Sequence, residues 1–83
     1  MSRVGMASVV LKALEEGFTI KMYIHKEEGE EEEVRMEITR GNKIKGIAIE
    51  KVIWGRAVNS SIQGGIEMIK YSERREAEKD IVV

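Results

Sequence analysis

In two stretches, residues 18–25 and 33–40, apolar and polar positions alternate strictly, with a polar run between them. Phe18, Ile20, Met22 and Ile24 alternate with Thr19, Lys21, Tyr23 and His25. Further on, Val34, Met36 and Ile38 alternate with Arg35, Glu37 and Thr39. A period of two sends one set of side chains to a buried face and the other to water, so two half-buried strands are predicted over Phe18–His25 and Glu33–Arg40. Setting Met22 opposite Met36 in an antiparallel pair also brings Ile24 to Val34 and Ile20 to Ile38 on the inner face. On the outer face Lys21 then meets Glu37, Tyr23 meets Arg35, Thr19 meets Thr39 and His25 meets Glu33. All four are favourable cross-strand types, each worth roughly 0.2–1 kcal/mol. A slip of one residue would bury the charged set, which specifies the register.

Arg40-Gly41-Asn42-Lys43 follows, with the Gly-Asn pair of a two-residue hairpin turn in which positive φ is needed. That turn sets Ile47 against Met36 and Ile49 against Val34, again on the inner face. A third strand, Lys43 to Glu50, results, and the second strand becomes central. Ile44 is then turned outward beside Thr39, with Gly46 and Ala48 further along the same row.

The flanks read as helices. Ser2 to Glu16 carries Ala7, Val10, Leu11 and Leu14 on one stripe, with Ser2 as cap and Gly17 as the left-handed stop. Lys51 to Val58 is apolar on all sides around Gly55. A fourth strand or an irregular connector is expected there, with a short helix as the alternative. Ser60 and Gln63 fit a capping box, so the second helix is expected to start there with Ile62, Ile66 and Ile69 as its stripe, against a competing strand from Gly65 to Tyr71. Residues 72–83 are charged nearly all round and predict an exposed helix end, followed by the apolar tail Ile81-Val82-Val83. The expected fold is α+β, a helix, a three-stranded antiparallel sheet and a helix (αβββα), with both helices on one face.

Length and composition narrow the rest. With 83 residues there is room for one small domain, residues 1–83, of radius of gyration roughly 12 Å. Such a chain buries only about 60–65% of its unfolded surface and gains from dimerising. Eleven Ile and eight Val against two Leu favour a sheet. Fourteen Glu, abundant Lys, Arg and Ile, and only Asn42, Asn59 and Gln63 as amides make the pattern of a heat-adapted protein. No run is long and apolar enough for a transmembrane helix and no signal peptide is recognisable, so a cytoplasmic location is expected.

Chemistry is largely excluded. With no cysteine and one histidine, thiol catalysis, cysteine zinc sites and histidine pairs are absent, and no phosphate-binding glycine motif occurs. His25 reads as a solvated strand-end residue, and no catalytic residue, cofactor site or metal site is expected. The run Glu27-Glu28-Gly29-Glu30-Glu31-Glu32-Glu33 lacks the short Asp ligands of a calcium loop and reads as a solvated hairpin tip. A tip of carboxylates can also imitate phosphates, as some small viral inhibitors of nucleic-acid-binding enzymes do. The middle of the chain is basic, and Arg40, Lys43, Lys45 and Arg56 are the candidate phosphate contacts of a nucleic-acid binder. The helix–strand–strand–strand–helix order resembles that of double-stranded-RNA-binding domains. The resemblance is one of order alone, because Ser60-Ser61-Ile62-Gln63-Gly64-Gly65 lacks the lysine cluster that family places there. The leading expectation is a non-enzymatic interaction protein, probed first as a homodimer. Ile44, Gly46, Ala48 and Trp54 form its expected contact strip, and the free edge of the third strand is available for pairing.

Overall fold

In the computed structural model, which describes residues 5–81, the two hairpins form as the alternation requires. Strands β1 (Thr19–His25), β2 (Glu33–Arg40) and β3 (Lys43–Glu50) make one antiparallel sheet in the order β1-β2-β3. Both registers are the expected ones: Met22 faces Met36, Ile24 faces Val34, Met36 faces Ile47 and Val34 faces Ile49. Gly41 takes φ +60°, and no other described residue except Gly17 and Gly29 has a positive φ. The turn is thus the primed type with glycine first, whose twist matches that of the strands it joins.

Helix α1 (Met6–Glu15) has Gly5 at its cap; the expected Ser2 cap lies outside the described residues. Its end is as expected. Gly17 has φ +89°, the Phe18 amide donates to the Ala13 carbonyl at 3.0 Å, and the Gly17 amide donates to that of Leu14 at 3.0 Å. This is the left-handed stop in which a buried residue just past the helix packs on its last turn. The inward face is a correction: Val9 and Ala13 are buried, while of the expected stripe Val10 packs partly against the core and Ala7, Leu11 and Leu14 are exposed. Both stripes have helical spacing, and the tight Ala13–Phe18 corner decides between them.

The second helix corrects the sequence reading most. No fourth strand exists in 51–58, and no strand exists in 65–71. After one 3₁₀ turn (Lys51–Ile53), helix α2 runs unbroken from Trp54 to Ile81. Ser60 therefore sits inside the helix and caps nothing. The apolar stripe begins six residues before the proposed cap: Trp54, Val58, Ile62, Ile66 and Ile69 recur every three or four residues and face the sheet. Burial of that stripe outweighs the β-branched propensity of the segment. Gly65 has a packing reason as well. A Cβ there would lie 2.7 Å from Ile38 Cδ1 and 3.0 Å from Ile47 Cδ1, so a bare backbone lets α2 approach the strands closely.

The core lies between the sheet's inner face and the two helices, α1 over β1 and α2 over β3 and β2. Met36, Ile38 and Ile62 are fully enclosed. Ile24, expected inside, is 62% exposed. Ten-residue α1 spans about 15 Å against about 23 Å for β1, so that end of the inner face is uncovered. α2, 28 residues and about 42 Å long, outruns the sheet at the other end. The radius of gyration is accordingly 15.0 Å rather than about 12 Å.

Candidate functional site

β3 is an edge strand, and its outward row is Ile44, Gly46, Ala48 and Glu50, all exposed. The two-residue turn closes on Arg40 and Lys43. Hydrogen-bonded and non-hydrogen-bonded pairs alternate from there. Lys43, Lys45, Ile47 and Ile49 exchange bonds with β2, while the N–H and C=O groups of Ile44, Gly46 and Ala48 point away from the sheet. The residues singled out for their side chains are thus also those with free backbone groups. Ile44 is 63% exposed, and no atom lies within 4 Å of a Cβ built on Gly46.

Trp54 does not join them. It opens α2 beyond the far end of β3, roughly 20 Å of strand from Ile44. Its ring packs on the core, and its indole Nε1 is enclosed with no hydrogen-bond partner in the structure. Two residues not anticipated take its place. Met68 and Tyr71 of α2 are 54% and 55% exposed and, with Ile44, line an open groove of about 440 Å³ between α2 and the β3 edge. Arg75 lies beside the Tyr71 ring, 3.3 Å from its hydroxyl. Following the helical period back from Ile62 to Trp54 would have placed Met68 and Tyr71 on this flank.

The basic residues are not gathered into one patch. Arg40 leaves the end of β2 and binds Glu73 of α2 through both carboxylate oxygens, the Nε contact being 2.9 Å. It also donates to the Glu16 carbonyl at the end of α1 at 2.9 Å and lies 4.1 Å over the Phe18 ring. The hydrogen bond from Arg40 is the main reason the Glu73 carboxyl is held below its ordinary range, and its counterpart raises Arg40. Lys43 is ion-paired with Glu76 at 3.0 Å. The stem of Lys45 leans on α2, its Cγ 3.7 Å from a Cβ built on Gly65. Arg56 is exposed near the start of α2, at the other end of the sheet.

The acidic run is a loop between β1 and β2. Glu30 donates its amide to the Glu27 carbonyl at 3.0 Å, and Gly29 takes φ +83° at the turn. Glu32 accepts from Lys51 at 2.9 Å, and this hydrogen bond is the leading cause of its lowered carboxyl pKa. Glu33 pairs with Arg35 at 3.3 Å, and His25 turns to Glu27 at 3.2 Å instead of its expected partner Glu33. Glu28, Glu30 and Glu31 face solvent. Among the described residues no three acidic or histidine side chains converge as a metal-ligand set. The outer pair Lys21–Glu37 forms at 3.9 Å, and the Lys21 ammonium lies 5.5 Å from the centre of the Tyr23 ring.

Among the described residues no helix is long and apolar enough to cross a membrane. The chain matches no family model, no curated protein and no solved structure.

Proposed function

We propose that the chain is a small non-enzymatic interaction module that works by self-association, its contact surface being the β3 edge with the adjoining flank of α2. The observation that supports this is the coincidence of free backbone groups and apolar or small side chains at Ile44, Gly46 and Ala48, next to exposed Met68 and Tyr71. A strand edge of this kind gains a full ladder of hydrogen bonds when a second strand pairs with it. The nucleic-acid reading has weaker support. Of Arg40, Lys43, Lys45 and Arg56, the first two are held by carboxylates of α2, and the last stands apart from the others.

Light scattering coupled to size exclusion, at two salt concentrations, tests the proposal. A dimer mass that persists at high salt is the expected result, because the contact is apolar and backbone-mediated. A monomer at high micromolar concentration overturns it. A mobility shift of nucleic acid at low salt, lost when Arg40 and Lys43 are both changed to Ala, would favour the alternative.

A further inference from the structure

We propose, resting on the edge reading above, that two copies pair about a two-fold axis through Gly46. Their sheets join into one of six strands, and their α2 helices lie antiparallel with Gly64 at the crossing. Strand and helix point to the same axis independently.

On the strand, an antiparallel partner must match one free backbone set with the other, so Ile44, Gly46 and Ala48 pair among themselves. Centring on Gly46 sets Gly46 against Gly46 and Ile44 against Ala48, a large side chain beside a small one. Centring on Lys45 sets two ammonium groups face to face. Centring on Ile47 puts Ile44 opposite Glu50 and Lys43 opposite Lys51. Centring on Ile44 or Ala48 opposes lysines as well, Lys43 with Lys45 or Lys45 with Lys51, and like charges directly opposite destabilise a ladder, which leaves Gly46.

On the helix, Ala57, Ser61, Gly64, Met68 and Tyr71 follow one another at alternating spacings of four and three, which keeps them on a single line. Met68 and Tyr71 put that line on the β3 flank, since they share the groove with Ile44. The line is graded, small in its first half and large in its second. An antiparallel copy centred on Gly64 lays Ala57 against Tyr71 and brings Ser61 within one residue of level with Met68, so each bulky side chain meets a small one. Glycine at the crossing, with serine one turn away, allows two helices to approach at the short end of the usual 8–10 Å range.

The two centres lie above one another. The Cβ position of Gly65 is 3.0 Å from Ile47 and 3.7 Å from Lys45, the two neighbours of Gly46. A single axis therefore serves both layers. The joint face is about 25 Å long and about 20 Å wide, or on the order of 1,000 Å² for the pair, which reaches the lower bound of specific interfaces.

Single-cysteine variants test the axis, since the chain has no cysteine of its own. Gly46 and Gly64 both have open space where a side chain would start, so Gly46→Cys and Gly64→Cys fold as the parent does. In the dimer, Gly46→Cys oxidises to a disulfide at least about ten-fold faster than Glu50→Cys, because thiols on Cα atoms more than about 7 Å apart cannot be bridged without backbone movement. The Glu50 copies would be about 27 Å apart along the strands. Gly64→Cys is captured by a short bismaleimide, and a mixture of Ile44→Cys with Ala48→Cys gives the mixed pair ahead of either self-pair. Masses of the reduced variants are read in parallel. A dimer in which Gly46→Cys or Gly64→Cys fails to cross-link overturns the two-fold and leaves the edge reading standing. A parent chain that is monomeric overturns both.

Discussion

The two edges of the sheet are built differently. The outer row of β1 is Thr19, Lys21, Tyr23 and His25, with Lys21 paired to Glu37 and lying over Tyr23, so a charge stands beside the free backbone groups of Ile20, Met22 and Ile24. The outer row of β3 is Ile44, Gly46 and Ala48, with no charge before Glu50. The cations of β3 are turned the other way, Lys43 to Glu76 and Lys45 along α2. Natural sheets guard their edges with charges, above all lysine. One edge here is guarded and the other is left open, which makes the open edge a surface in its own right. The layer above sharpens the contrast. Over β1 the core receives Val9 and Ala13 from α1, and over β3 it receives Val58, Ile62, Ile66 and Ile69 from α2. The open edge belongs to the better-anchored half.

The largest effect expected is on stability, and it tests that anchoring. Ile62→Ala empties a fully enclosed site in α2 and should destabilise by about 3 kcal/mol, whereas Val9→Ala in α1 should cost about half that by urea unfolding. Equal costs would dissolve the distinction between the halves. Next comes association. Ile44→Lys on β3 and Leu11→Lys on α1 change residues of similar exposure, 63% and 59%. The first should weaken the dimer ten-fold or more, about 1.4 kcal/mol, and the second should leave its mass unchanged. The reverse result would move the interface to α1.

A subtler experiment removes the guard. Lys21→Ile should leave the fold intact but open the β1 edge, so that light scattering at high concentration detects species larger than the dimer. Unchanged mass would mean that Lys21 protects nothing. The smallest effect concerns acid. Glu73 has its carboxyl pKa lowered in the folded chain, so its contribution is complete above the ordinary value of 4.5 and is lost as pH falls through the folded value. Thermal unfolding should therefore show an acid limb that begins as pH falls below 4.5. Glu73→Gln should flatten that limb, and Lys21→Ile should not.

How much was visible beforehand follows from how each element is held. The sheet could be read residue by residue, because a period of two leaves no choice of face and Gly41 selects the turn. The helices could not. In α1 two apolar stripes compete, and only the corner at Gly17 and Phe18 shows that Val9 and Ala13 turn inward. In α2 the stripe from Trp54 is present in the chain, but β-branched Val52, Ile53 and Val58 around Gly55 resemble a strand, and Ser60 with Gln63 imitates a helix start. Of the proposed contact strip, the outward placement of Ile44, Gly46 and Ala48 followed from register alone. Met68 and Tyr71 did not, because their side of the helix is known only once its true start is known. Trp54 was misplaced for the same reason.

The order of the strands in the sheet is also their order in the chain, with each joined to the next by a hairpin and no crossover between them. Such wiring keeps most contacts between near neighbours in sequence, which speeds folding among small domains. Without proline there is also no slow isomerisation to wait for. A newly made copy should thus acquire its open edge almost at once, and how soon it meets a second copy becomes a matter of concentration alone.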